Sequence, residues 1–190
     1  MRKEEIMRHS KEELQIINNY KKSVDLEVRN FVEKVYGGEH VQPITVGFLT
    51  DCAAIEIEHL TGMMVYGNRI VLDDNAVIHI KNRHGIGGKQ DESMKNIDDI
   101  ARIGYVLANY DNIEFYGEYA QGYVDANGKQ APKVVVIKKI NGTFYVVEAV
   151  SDAKKHRNYI VSAFIKPADR KSDSSVPNNA YALGKRPKRS

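Results

Sequence analysis

Asn141-Gly142, set between two apolar runs at residues 134–140 and 143–150, constrains the fold more than any other feature of the chain. An Asn-Gly pair accepts the positive φ angles of a type I′ turn, whose twist matches that of paired strands. The two runs are therefore read as an antiparallel hairpin. Residues 113–116, 119–124 and 159–165 read as further strands, with turns at residues 125–128 and 151–157. Helical signals come first. Residues 10–13 form a capping box ahead of Leu14, Ile17 and Tyr20, and Ser23 can cap a second helix carrying Leu26, Phe31, Val32 and Val35 that Gly37-Gly38 stops. The expected class is α+β: N-terminal helices followed by a four-stranded antiparallel sheet.

Between those zones, residues 44–49 read as a short extended lead-in. Asp51 can cap a helix running through His59 that stops near Gly62, and residues 69–72 are again extended. Asp73 or Asp74 caps a helix that Gly85 ends, and residues 85–88 form a flexible loop. Residues 96–99 open an amphipathic helix that turns Ile97, Ile100, Ile103 and Leu107 inward. After residue 167 the chain is rich in Ser, Asn, Pro and Lys without periodicity, which reads as a disordered basic tail. The expected division is a helical extension at 1–38, a body at 39–166 and the tail at 167–190.

Composition excludes several classes. The 190 residues are 42% hydrophobic and 28% charged, ordinary for a globular chain. No apolar run is long enough to cross a membrane, and the charged N-terminus lacks a signal-peptide core. A cytoplasmic protein is expected, open to delivery by a phage or a secretion system, with no membrane partner. The single Cys52 allows no intrachain disulfide and reads as a small buried residue. The net charge of +3 is unevenly spread. Residues 166–190 hold seven Lys/Arg against two Asp, a net of +5, which leaves −2 for residues 1–165. Residues 133–157 are locally basic, with six Lys/Arg against Glu148 and Asp152. Such a stretch suits a phosphate backbone or a solvated hairpin face.

The chemistry concentrates in residues 77–85, Val-Ile-His-Ile-Lys-Asn-Arg-His-Gly. Histidine transfers protons near neutral pH, and Lys81 and Arg83 suit a phosphate. At 100° per residue, His79 and Arg83 share a helix face flanked by Asn75 and Asn82, while Val77, Ile80 and His84 fall on another. His84 therefore sits over the apolar side or caps the helix end near Gly85, or swings into the site if the last turn unwinds. A plain helix end whose cations suit the dipole accounts for the same residues without chemistry. Ser162, in the last strand, can bond a phosphate oxygen or be a satisfied sheet hydroxyl. Glu148 can act as a base, or pair across the hairpin with Lys138 or Lys139. Metal signals are weak. Residues 56–59 carry one Glu-x-x-His, His79 and His84 lack zincin spacing, and no cysteine pair exists. No metal and no cofactor are expected.

Residues 79–85, 91–94, 98–103, 138–148 and 160–164, taken in order, resemble the phage and mobile-element branch of the barnase/EndoU/colicin/RelE-like nuclease superfamily. The resemblance spans residues 70–166. It implies two helices before a four-stranded antiparallel sheet and a metal-independent, toxin-type endoribonuclease. There the ribose 2′-OH attacks the adjacent phosphate and leaves a 2′,3′-cyclic end. It implies roles for His79, Arg83, His84 and Ser162, with Lys81, Lys138 or Lys139 on substrate. RNA, with tRNA as one candidate, and a cognate immunity or antitoxin protein are the implied partners. The alternative is a non-catalytic phage or mobile-element protein that binds RNA or a protein partner.

Overall fold

The computed structural model describes residues 23–124, 128–152 and 154–167. The capping box at residues 10–13 and the tail after residue 167 lie outside them. Helix α1 (Leu26–Tyr36) is capped by Asp25, whose side chain accepts from the Glu27 and Val28 N–H groups. Ser23 is not the cap; it is buried and accepts a hydrogen bond from Arg102 Nε at 3.1 Å. Val28, Phe31, Val32 and Val35 carry α1 into the main core.

Strand β1 (Ile44–Phe48) leads to helix α2 (Asp51–Thr61), capped not by Asp51 but by Thr50, whose side chain accepts from the Ala53 N–H, and ended by Gly62 with φ of 75°. The expected buried thiol is found at the surface: Cys52 is exposed, because the first turn of α2 buries Ala53 and Ala54 instead. Strand β2 (Arg69–Leu72) runs directly into helix α3 (Asp74–His84), with Asp73 accepting from the Ala76 N–H at 2.8 Å. Helices α4 (Ile97–Ala101) and α5 (Ile103–Ala108) replace the single helix expected there. They meet at Arg102, which caps the end of α4.

The four remaining strands are β3 (Asn112–Val124), β4 (Gln130–Ile140), β5 (Thr143–Asp152) and β6 (Arg157–Pro167). They form the expected antiparallel meander, and Asn141-Gly142 makes the β4–β5 turn with φ of 49° and 76°. The sheet is larger than four strands. Among the described residues it has six, in the order β1-β2-β6-β5-β4-β3. The pair β1–β2 joins along β6, and β2 runs parallel to β6 from Arg69–Val71 against Arg157–Tyr159. Period-2 patterning of single strands could not show this, since β2 is a four-residue piece whose partner comes at the chain's far end. Buried side chains lock the junction: Asn68 Nδ2 donates to Asn158 Oδ1 at 2.8 Å, and Asn158 Nδ2 donates to Ser151 Oγ at 2.9 Å.

Two irregularities shape the site. Residues 113–116 and 119–124 belong to one long strand, whose register shifts on either side of Tyr119 and Ala120. Gly117 and Gly122 there take φ of 74° and 84°, which other residues rarely adopt. The second irregularity is a bulge in β6. Glu148 opposes Ser162 and Ala149 opposes Ile160, so Val161 is the extra residue. A strict alternation would place Ile160 and Ser162 on one face; the bulge sends Ile160 into the core beside Ala149 and Ala163, and Ser162 to the face of Glu148.

Helix α5 approaches β1 closely at Gly104, where a Cβ would meet the Val46 carbonyl oxygen at 2.8 Å. Gly104→Ala is expected to cost about 1–3 kcal/mol through backbone displacement. Thermal unfolding should register this as a fall of several degrees; an unchanged Tm would contradict the α5–β1 packing.

Candidate active site

Helix α3 seats along β6, beyond the point where β2 stops pairing with it. Its buried face carries Ala76, Val77, Ile80 and His84. The adjoining face carries Asn75, His79 and Arg83, all exposed and one turn apart in succession. These three line an open cleft of about 370 Å³. Across it the sheet supplies Tyr123 from β3, Lys133 from β4, Glu148 from β5 and Val161 from the β6 bulge.

The charges are interleaved. Lys133 Nζ lies 3.3 Å from Glu148 Oε1 and also bonds Glu118 on β3. Burial works to lower the Lys133 pKa, but hydrogen bonding to Glu118 and the Glu148 and Glu118 charges outweigh it and raise the value. The ammonium is thus held protonated. His79 moves the other way. Desolvation lowers its pKa first, then the Arg83 guanidinium, with smaller contributions from His84 and Lys133, against an upward pull from Glu148. At neutral pH the lowered pKa therefore favours the neutral imidazole of His79, beside the cations Arg83 and Lys133. That combination can accept a proton and hold an anionic centre at once.

The remaining expected residues are placed elsewhere. His84 is buried, stacked on Phe164 with centroids 5.1 Å apart, and its Nδ1 lies 3.0 Å from Asp91 Oδ2. Burial tends to raise the Asp91 pKa, yet hydrogen bonds from Ser93 and His84 hold it below the usual carboxylate value. Residues 85–91 fold back on the end of α3: the Lys89 N–H donates to Asn82 O, and the Gln90 and Asp91 N–H groups donate to Arg83 O. Gly88 permits this, since a Cβ there would lie 2.6 Å from Arg83 O. His84 and its loop thus fasten the helix that presents His79 and Arg83. Lys81 points away, with Nζ 4.5 Å over the Tyr36 ring. Lys138 bonds Asp111 Oδ1 at 2.6 Å, and the Lys139 N–H donates to Asp111 Oδ2. Ser162 is buried opposite Glu148 and does not line the cleft. Glu148 does pair across the hairpin, but with Lys133.

Sequence reasoning passed over Lys133 and Tyr123. For Lys133 a signal existed. A two-residue Asn-Gly turn sets Lys138 opposite Tyr145 and Lys133 opposite Val150, so Lys133 shares a face with Glu148. For Tyr123 no local signal existed, because the irregular end of β3 decides where it lies.

Among the described residues no group of three or more His, Cys, Asp and Glu gathers to hold a metal ion, and no helix is long and apolar enough to cross a membrane. In this α+β domain a helix-borne imidazole and guanidinium thus face a lysine on the antiparallel part of the sheet. The family model described as phage-Barnase-EndoU-ColicinE5/D-RelE like nuclease3 matches residues 48–174, and the chain belongs to that family. The match takes in α2, β2 and every cleft residue named above. No curated protein and no solved structure matches the chain.

Because Arg83 is the largest charge effect lowering the His79 pKa, Arg83→Ala should raise it. An NMR titration of the His79 ring should show a midpoint below about 6.5 in the native protein and a higher one in the variant. Identical midpoints would contradict the proximity of the two side chains.

Proposed function

We propose that the protein is a metal-independent, toxin-type endoribonuclease acting in the cytoplasm. The observation that carries this reading is the pairing of a neutral His79 with Arg83 and Lys133 in one cleft. His79 takes the proton of a ribose 2′-OH. The 2′ oxygen forms a bond to the adjacent phosphorus, and the bond to the 5′ oxygen breaks. Solvent water protonates the leaving oxygen, giving a 2′,3′-cyclic phosphate and a 5′-OH. Arg83 and Lys133 stabilise the extra charge of the phosphorane, where fixed cations act most strongly. Glu148 holds Lys133 in place and tempers the local positive field. His84 and Ser162 are assigned to positioning the helix and the strand. The substrate is RNA, and a cognate inhibitor would act by covering this cleft.

Purified protein incubated with RNA in excess EDTA should yield fragments ending in 2′,3′-cyclic phosphate, while DNA, which lacks the 2′-OH, stays intact. His79→Ala should lower the rate by about 10²–10⁴-fold, the usual contribution of a general base. RNA that is bound but never cut would overturn this reading in favour of a binding protein.

The pH dependence has a definite sign. The imidazole must be neutral to accept a proton, and its pKa is lowered. The rate should therefore rise with pH below about 6.5 and be flat at neutral pH. A rate that instead falls on rising from pH 5 to 7 would make His79 an acid.

A further inference from the structure

We propose that Tyr123 is a stacking platform for one unpaired base, so that the cleft takes single-stranded nucleic acid; this rests on the reading of the cleft as a nuclease site. The far end of β3 carries Tyr123 to the cleft that His79 and Arg83 line. The ring packs against Tyr159, with centroids 5.3 Å apart and planes tilted by 43°. Tyr159 is itself held in a small apolar cluster with Val71 and Val150. Tyr123 is thus half-buried, braced from behind, and still part of the cleft lining. A half-buried aromatic braced in this way loses little freedom when a base lies on it.

The surroundings fit a strand entering past the ring. Arg83 and Lys133 supply positive charge at the reacting phosphate. Lys155, in the turn that precedes β6, holds its Nζ 5.9 Å from the Tyr159 ring and 3.6 Å from Asp152 Oδ2. Cations in a groove that also offers an aromatic face suit a strand whose bases stack while its phosphates track the charge. Asn75, exposed on the first turn of α3, lies in the same lining and offers amide groups to a base edge. A paired base shows only its edges in a groove, so a ring platform selects single strands over duplex.

The test uses a short 2′-O-methyl oligonucleotide carrying 2-aminopurine, which cannot be cleaved and whose fluorescence is quenched on stacking. Native protein and Tyr123→Phe should quench it equally. Tyr123→Leu, which keeps an apolar side chain on Tyr159, should weaken binding by about 5- to 100-fold, the range for one lost base stack. An unlabelled duplex of the same sequence should not compete for the protein. Equal binding by native protein and Tyr123→Leu, or equal competition by duplex and single strand, would overturn the platform. So would a Tyr123→Phe variant that loses as much as Tyr123→Leu, since that would give the role to the hydroxyl. Cleavage without Tyr123-dependent quenching would remove this inference and leave the ribonuclease reading. Quenching without cleavage of ordinary RNA would do the reverse.

Discussion

The short parallel pairing between β2 and β6 governs the molecule. It lasts only from Arg69–Val71 against Arg157–Tyr159. Parallel neighbours require a crossover, and here the crossover contains most of the domain. Where β2 stops, β6 keeps a free flank, and α3 fills it. Had β2 continued, its side chains would stand where His79 and Arg83 now face the sheet. Asp73 makes the change abrupt by capping α3 one residue after β2 ends. Asn68, Asn158 and Ser151 make the pairing specific, since a slip of one residue would leave buried amides without partners.

The cleft is built from supports more than from reactive groups. His79 and Arg83 are exposed side chains. Their placement comes from the other side of the same helix. There Val77 and Ile80 are in the core, His84 lies on Phe164, and the loop after Gly85 returns to bond the final turn. Ser93 extends that loop to the sheet by accepting the Ile165 N–H at 3.1 Å. A cationic helix end on a mobile segment would spend its charge on solvent; this one is fixed at both ends.

Much of this could be read from residues. The Asn-Gly turn, the four-strand meander and the helix that Gly85 ends all rest on local chemistry, and local chemistry holds in the structure. The facing of α3 was legible for the same reason: a 100° step separates His79 and Arg83 from Val77, Ile80 and His84 without help from the rest of the fold. What escaped depended on partners distant in sequence. The strands β1 and β2 are too short to announce a sheet. The break at Arg102 answers to a contact with Ser23 and an ion pair with Asp99. Lys133 was passed over for Lys138 and Lys139, which are nearer the turn; there the Lys138 ammonium pairs with Asp111 and Lys139 Nζ lies 6.0 Å from the Phe144 ring centroid. The bulge at Val161 has no signature in a strand of alternating apolar residues, yet it decides which of Ile160 and Ser162 joins the core.

The bond between Asn68 and Asn158 joins residues 90 positions apart. It follows that the ribosome makes His79 and Arg83 long before it makes the strand they lie beside. Lys133 and Glu148 come later, and β6 comes last of the described elements. Contacts so far apart in sequence form only after the intervening chain has collapsed. During its own synthesis the chain therefore holds a histidine and an arginine on an unseated helix and no cleft around them. The cleft is complete only once β6, the last of the described elements, has joined the sheet.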